Sequence, residues 1–179
     1  MAQLTATQLQ ALVRTIPDFP VPGIQFRDIT PLIAHGAGFA STVGWLADRV
    51  GPATAVAGLE ARGFIFGAAV AARHGLPFIT IRKGGKLPCV TIGIDYHLEY
   101  GHDRLELDPE AIPQGSPVVI IDDLLATGGT ALAAAELLRQ GGAKVHGALF
   151  VIELPDLGGR ERLGKAGVDV HTLMAFEGD

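Results

Sequence analysis

Between positions 118 and 130 the chain reads Val118-Val119-Ile120-Ile121-Asp122-Asp123-Leu124-Leu125-Ala126-Thr127-Gly128-Gly129-Thr130: four apolar residues, two acids, two leucines and a turn of small residues. The apolar run predicts a buried strand and the segment beyond Gly129 a helix, so the small residues join strand to helix. In that turn Ala126, Thr127, Gly128, Gly129 and Thr130 can aim several backbone N–H groups and two hydroxyls at one point, at the positive end of the helix dipole. That point suits a phosphate. Each charge-assisted hydrogen bond contributes about 1.5–3 kcal/mol and a phosphate accepts several, so this loop alone can hold a monophosphate group. The adjacent carboxylates would repel the phosphate unless they face something else. Two vicinal ribose hydroxyls, each a donor, are suitable partners for Asp122 and Asp123. An acidic pair or a Gly-Gly by itself is a common strand end or turn; the joined order carries the reading. Other nucleotide motifs do not compete, because Gly84-Gly85-Lys86 lacks the upstream glycine and following Ser/Thr of a Walker loop, and no G-x-G-x-x-G follows a predicted strand.

The elements that must position this loop are readable from periodicity. Residues 5–14 carry Leu9, Leu12 and Val13 at helical spacing, and Pro17, Pro20 and Pro22 then force an extended path to Gly23. A second helix is expected over residues 39–50, with Gly51-Pro52 as its stop. Residues 55–59 form a short apolar run ending at Glu60-Ala61-Arg62-Gly63; a small-residue helix follows to His74, closed by Gly75, before a second run at 78–82. This is a βαβ pattern. It recurs as a strand at 118–121, the glycine loop, a helix from about 130 to 140 and a strand at 145–152. The runs are apolar on successive residues, as buried parallel strands must be. Right-handed crossovers then bring the loops after the strands to one sheet edge, where open α/β sheets bind ligands. Between the two units, residues 84–107 form a polar, glycine-punctuated excursion with short alternating stretches, Val90-Thr91-Ile92 and Leu105-Glu106-Leu107. Excursions this long are more often functional than ornamental.

At 179 residues the chain has the size of one domain and can bury about two thirds of its unfolded surface. Its hydrophobic fraction of 48% is not gathered into any apolar run near the roughly 20 residues needed to cross a bilayer. The start, Met1-Ala2-Gln3-Leu4-Thr5, lacks the basic flank and apolar core of a secretory signal, and Cys89 is the only cysteine. A cytoplasmic setting without disulfides within the chain is therefore expected. The 14 basic and 19 acidic residues give a net charge of −5, a field that repels polyanions. Neither nucleic acid nor membrane is an expected partner, and an anionic substrate needs a local basic site.

The segment 118–130 resembles the signature of the type I phosphoribosyltransferase family: four apolar residues, two acids and a small-residue loop ending T-G-G-T. Four other segments look like those of family members that act on adenine. They are Asp18-Phe19-Pro20 through Pro22-Gly23-Ile24-Gln25-Phe26-Arg27-Asp28, then Ala61-Arg62-Gly63-Phe64, then Ile81-Arg82-Lys83 with Gly85-Lys86-Leu87-Pro88, and Leu98-Glu99-Tyr100-Gly101. They occur in the family's order and spacing, and the resemblance runs from about residue 16 to the C-terminus. It implies the type I phosphoribosyltransferase α/β fold, a central parallel five-stranded sheet flanked by helices. It further implies one phosphoribosyltransferase domain over residues 1–179, with a small N-terminal hood at about 1–35 and a flexible catalytic lid at about 84–107.

By the same resemblance the activity is transfer of the 5-phosphoribosyl group of phosphoribosyl pyrophosphate to N9 of adenine, giving AMP and pyrophosphate in purine salvage. Ala61, Arg62, Arg82, Lys83 and Lys86 are then candidate pyrophosphate contacts, and the Arg82-Lys83 loop a segment that could reach across a homodimer interface. Arg62 and Glu99 are the candidate catalytic residues, with Glu99 the acid/base for the purine imidazole ring and Tyr100 beside it on the lid. Positioned proton transfer of that kind is worth about 10²–10⁴-fold. Phe26 is implied to stack on adenine while main-chain groups of Gln25 and Arg27 read its amino edge; by pattern alone Phe26 fits a core aromatic better than a stacking plate. Leu157 aligns with the residue covering the other face of the base, or is a core leucine. The peptide bond Glu60-Ala61 is implied to be cis. Mg²⁺ is the implied cofactor, held through phosphoribosyl pyrophosphate and water rather than by direct protein ligation, since it prefers few protein ligands. Two alternatives share the loop: transfer to a 6-oxopurine, which the segment ending Phe26-Arg27-Asp28 disfavours, and a non-catalytic nucleotide-sensing regulator, which has no use for Glu99.

Overall fold

The computed structural model describes residues 3–98 and 101–178; Glu99 and Tyr100 lie outside the described residues. The chain opens with helix α1 (Ala6–Gln10), started by a capping box in which Thr5 accepts from the Gln8 amide and Gln8 reaches back to Thr5. This helix is shorter than expected over residues 5–14, because Arg14–Pro17 is drawn off as strand β1. It pairs antiparallel with β2 (Gln25–Asp28), with Thr15 opposite Arg27 and Ile16 opposite Phe26. Helices α2 (Thr30–Ala34) and α3 (Gly36–Ala47) follow; α3 starts and ends three residues before the expected 39–50, because the His35 Nδ1 atom accepts from the Gly38 amide and sets its start.

The central layer is built from β3 (Ala55–Leu59), β4 (Phe78–Lys83), β5 (Ile92–Leu98), β6 (Gly101–Leu107), β7 (Pro117–Leu125), β8 (Lys144–Glu153) and β9 (Asp169–Ala175). Helices α4 (Arg62–His74), α5 (Gly129–Gln140) and α6 (Gly159–Lys165) make the crossovers. The sheet order is β5-β6-β4-β3-β7-β8-β9. From β4 to β9 all pairs are parallel, which is the expected five-stranded core.

The sheet nevertheless has seven strands, since the excursion at 84–107 contains an antiparallel hairpin, β5 and β6, that adds to the edge at β4 through Arg82 opposite Glu106 and Lys83 opposite Leu105. Its alternation supplies the reason. Tyr96, Leu105 and Leu107 bury one face into the core that α5 covers, with Ile92 and Ile94 packed against it, while Asp95, Arg104 and Glu106 pair on the other.

Strand periodicity divides the apolar residues between two cores. On β7, Val118 and Ile120 face α5 and α6, whereas Val119 and Ile121 face α3 and α4 together with Phe66 and Leu46. All five residues of β3 are buried, as both faces of a parallel sheet require.

Strand β2 is held by an ion pair, with the Arg14 Nη2 and Nε atoms donating to Asp28 Oδ2 at 2.5 and 3.1 Å. Asp28 also accepts from the Thr30 amide at 2.9 Å, and hydrogen bonds from Thr30 and then Arg14 bring its pKa down to about 2. A carboxyl depressed from 3.8 in this way contributes stability that is complete above about pH 4 and is lost as the pH falls through 2. Thermal melts of Asp28→Asn should therefore lie roughly 5 °C below the parent at pH 6. The two melts should converge as the pH approaches 2; a gap independent of pH would show that the Asp28 charge contributes nothing.

Candidate functional site

The five parallel strands deliver their C-terminal ends to one edge. Between β3, β4, the hairpin and β7 lies a cleft of about 290 Å³, walled by Glu60, Ala61, Arg62, Lys83, Tyr96, Asp103, Asp122, Asp123, Leu124 and Thr130. A second hollow of about 150 Å³ adjoins it, enclosed by residues 124–131 with Asp122. Asp122, Leu124 and Thr130 belong to both, so the hollows form one continuous site with two ends.

The smaller end is the small-residue turn. Gly128 has φ +76°, a left-handed conformation that only glycine adopts without strain, and it hands the chain directly to α5 at Gly129. Its carbonyl accepts the first helical bond, from Leu132 at 2.9 Å. The N–H groups of Gly129, Thr130 and Ala131 precede that bond and point out of the helix at its positive end. Ala126, Thr127, Gly128, Gly129 and Thr130 thus line a hollow at the start of α5, a geometry that suits an anion.

The two acids behave differently. Asp123 is buried, and its Oδ2 accepts from Arg62 Nε at 2.5 Å. Asp122 accepts the Asp123 amide at 2.9 Å, and burial, followed by the Asp123 charge, pushes its carboxyl well above the usual carboxylate range. Asp123 is thus paired with a guanidinium, and Asp122 is biased toward the protonated form, which can donate as well as accept. Gly63 allows this proximity, since a Cβ there would come within 2.7 Å of the Ile121 carbonyl and 2.8 Å of Asp122 Oδ1.

At the larger end the Glu60-Ala61 bond is cis, as the resemblance implies, and Arg62 opens α4. The basic residues divide. Lys83 lines the cleft, its ammonium 3.0 Å from Asp103 Oδ2, and that hydrogen bond raises its pKa. Arg82 instead turns to Glu60, which accepts from its Nη2 and Nε at 3.1 and 3.3 Å and from the Lys83 amide at 3.0 Å. The Arg82 hydrogen bonds hold Glu60 below the usual carboxylate range. Lys86 is exposed; its carbonyl accepts from Arg82 Nη1 at 2.9 Å. Neither Arg82 nor Lys86 lines the cleft: the bidentate geometry of the Arg82 guanidinium is satisfied by Glu60, and Lys86 is exposed beyond β4.

Tyr96, Asp103 and Glu60 are wall residues that sequence reading missed. Tyr96 and Asp103 face each other in the hairpin register, and the phenol donates to the carboxylate at 3.3 Å. Only a register for residues 92–107 would have revealed the pair. Glu60 could have been found as the acid at the end of the first predicted strand, two residues before Arg62.

Arg62 also joins the cleft to the hood, its guanidinium carbon 5.7 Å from the centroid of the Phe26 ring, against which Phe19 packs edge-on at 5.2 Å. Gln25 and Arg27 share one parity on β2, so their main-chain groups face the same way. The Arg27 side chain is occupied elsewhere, donating to the Thr15 hydroxyl at 2.7 Å and the Gly178 carbonyl at 2.8 Å. Leu157 is half-buried in the short 3-10 turn Pro155–Leu157 that follows β8. Glu99 and Tyr100, expected on the lid, lie outside the described residues.

Residues 46–164 match the phosphoribosyl transferase domain family. An adenine phosphoribosyltransferase of Novosphingobium aromaticivorans is 66% identical to the chain over 177 residues, covering 98% of this chain and 99% of that one. One from Erythrobacter litoralis is 63% identical with the same coverage. Among solved structures, the enzyme from Giardia lamblia complexed with 9-deazaadenine superposes with a TM-score of 0.91 at 32% identity, covering 97% of this chain and 98% of that one. A glycine-turn anion site, an acidic pair beside it and a basic cleft on the same sheet edge are thus the features of a chain that belongs to the phosphoribosyltransferase family.

Proposed function

We propose that the chain is an adenine phosphoribosyltransferase, joining N9 of adenine to C1′ of phosphoribosyl pyrophosphate and releasing AMP and pyrophosphate. The observation that carries the proposal is the continuous two-ended site, an anion cradle at one end and a cleft with two cations at the other. Relatives named for this activity along almost their whole length support the choice of base.

In this reading the turn 126–130 binds the 5′-phosphate through its backbone N–H groups and hydroxyls. Asp122 and Asp123 hold the ribose hydroxyls, and Ala61, Arg62 and Lys83 receive the pyrophosphate. Arg82 acts by positioning, since through Glu60 it fixes the peptide groups on either side of the pyrophosphate end. As the C1′–O bond breaks, its electron pair leaves with pyrophosphate, the N9 lone pair forms the new bond, and the purine gives up its ring proton. Arg62 and Lys83 lower the barrier by neutralising the charge that grows on the leaving group, and the fixed ribose holds C1′ in line. Glu99 is the proposed acid/base for the imidazole ring. The segment 84–107, with Tyr100, is the proposed lid that excludes water from the cationic ribosyl centre.

Phe26 is proposed to stack on adenine, with Leu157 covering its other face. The main-chain N–H and C=O groups of Gln25 and Arg27 match a base carrying an amino donor beside a ring acceptor. A 6-oxopurine presents the reverse pattern and would leave buried groups unpaired. Mg²⁺ would be carried mainly by phosphoribosyl pyrophosphate and water, with Asp122 and Asp123 the acids at the site able to accept from that water, and it would further neutralise the leaving group. A homodimer is the proposed assembly, with the Arg82-Lys83 loop as the segment that would reach the neighbouring subunit. The single cysteine, Cys89, fits a reducing cytoplasmic setting.

Pyrophosphate release should be observed with adenine and not with hypoxanthine, guanine or without a base. Turnover of hypoxanthine alone would overturn the base assignment, and no turnover with any base would favour a sensor. Asp123→Asn, which removes the charge facing Arg62, should raise the KM for phosphoribosyl pyrophosphate about tenfold. Glu99→Gln should instead lower kcat by about 10²–10⁴-fold with both KM values nearly unchanged, and parental kcat in that variant would remove Glu99 from the chemistry.

A further inference from the structure

The first turn of α6 lies against the anion-binding turn at a distance that no side chain permits. A Cβ on Gly159 would collide with the Ala126 carbonyl oxygen, and would stand 2.8 Å from Leu125 Cδ1 and 3.0 Å from the Gly128 amide nitrogen. The contact is reciprocal, since a Cβ on Gly128 would come within 3.0 Å of the Gly159 carbonyl oxygen and 3.1 Å of its Cα. Gly159 has helical backbone geometry that alanine adopts freely, so the requirement for glycine here is close approach rather than conformation.

Gly159 also cannot retreat. Its neighbour Arg160 donates to both oxygens of the buried Glu153 at 2.8 and 2.5 Å, to the Val170 carbonyl at 2.7 Å and to the Thr172 hydroxyl at 2.9 Å. Thr172 closes the network on Glu153 at 2.8 Å. The start of α6 is therefore bolted to β8 and β9. The β8 end is tied to β7 in turn, through the Leu154 amide and the Leu125 carbonyl at 2.9 Å. If bulk is added at Gly159, the part that yields is the turn.

We propose that Gly159 is a positioning residue for the phosphate-binding turn, and that the Arg160–Glu153–Thr172 network is the anchor against which it acts. The turn 126–128 is held from outside by the backbone of α6, at the helix that directly follows the Leu157 turn. The phosphate end and the base-covering turn then form one body, and the spacing between them is independent of the bound substrate. This rests on the reading of 126–130 as the 5′-phosphate site.

Calorimetric titration of the full chain with ribose 5-phosphate and, separately, with adenine tests it. Gly159→Ala should weaken ribose 5-phosphate binding about tenfold or more, because a backbone displaced by about 1 Å misaligns several donors together. Adenine affinity should change less than twofold. Gly164→Ala, on the same helix with nothing within 4 Å of the added Cβ, should leave both affinities at parental values. If Gly159→Ala does not fold, Glu153→Gln, which loosens the anchor, should weaken ribose 5-phosphate about threefold and spare adenine. Unchanged ribose 5-phosphate affinity in a folded Gly159→Ala variant, or equal losses for both ligands, would overturn the proposal. Failure of the parent chain to bind ribose 5-phosphate would instead overturn the phosphate-site reading itself.

Discussion

The site depends on the immobility of β7. Its neighbours β3 and β8 pair with it on both edges, and both of its faces are covered, so its end cannot shift without breaking two ladders and two cores. Asp122 and Asp123 therefore occupy fixed positions, and the turn that follows starts from a fixed point. The two adjacent crossovers are fitted to that end by glycines: Gly63 brings α4 against the Ile121 carbonyl, and Gly159 brings α6 against the Ala126 carbonyl. Preorganisation of this kind removes the reorganisation that a flexible anion site would pay on binding.

A chain of net charge −5 that accepts a polyanion needs cations whose partners can be displaced. Arg62 and Lys83 have that character. Their partners Asp123 and Asp103 are mostly buried, but the cationic side chains are 48% and 58% exposed. Pairs with one partner in solvent are worth about 0–1 kcal/mol, so an arriving diphosphate can compete for them. Until then the acids hold the cations at the cleft instead of letting them extend into solvent. Arg82 differs, because its two hydrogen bonds to Glu60 spend its geometry on the loop itself.

The hairpin shows how an excursion can be both part of the sheet and part of the site. Burial of Tyr96 and Leu105 on one face secures it against α5. The same strands carry the Tyr96 phenol and Asp103 to the cleft wall, where they meet Lys83 from β4. Sheet extension and the orientation of a cleft cation thus follow from a single register.

The five parallel strands, the crossover helices and the small-residue turn before α5 were legible in the sequence because each is a local pattern: successive apolar residues, small-residue helices, glycines at forced turns. Asp122, Asp123, Arg62 and Lys83 were legible as candidates because they stand immediately after such strands. The sequence could not tell Arg82 from Lys83, since only the pleat of β4 sends neighbouring side chains to opposite sides, one toward Glu60 and the other into the cleft. Nor could it show Tyr96 opposite Asp103, which required the hairpin register, or the unlike surroundings of Asp122 and Asp123, where burial raises the pKa of the first and a guanidinium arriving from another crossover pairs with the second. Local pattern determined which elements form and which residues end them; partners distant in sequence, brought together by packing, decided what each of those residues can do.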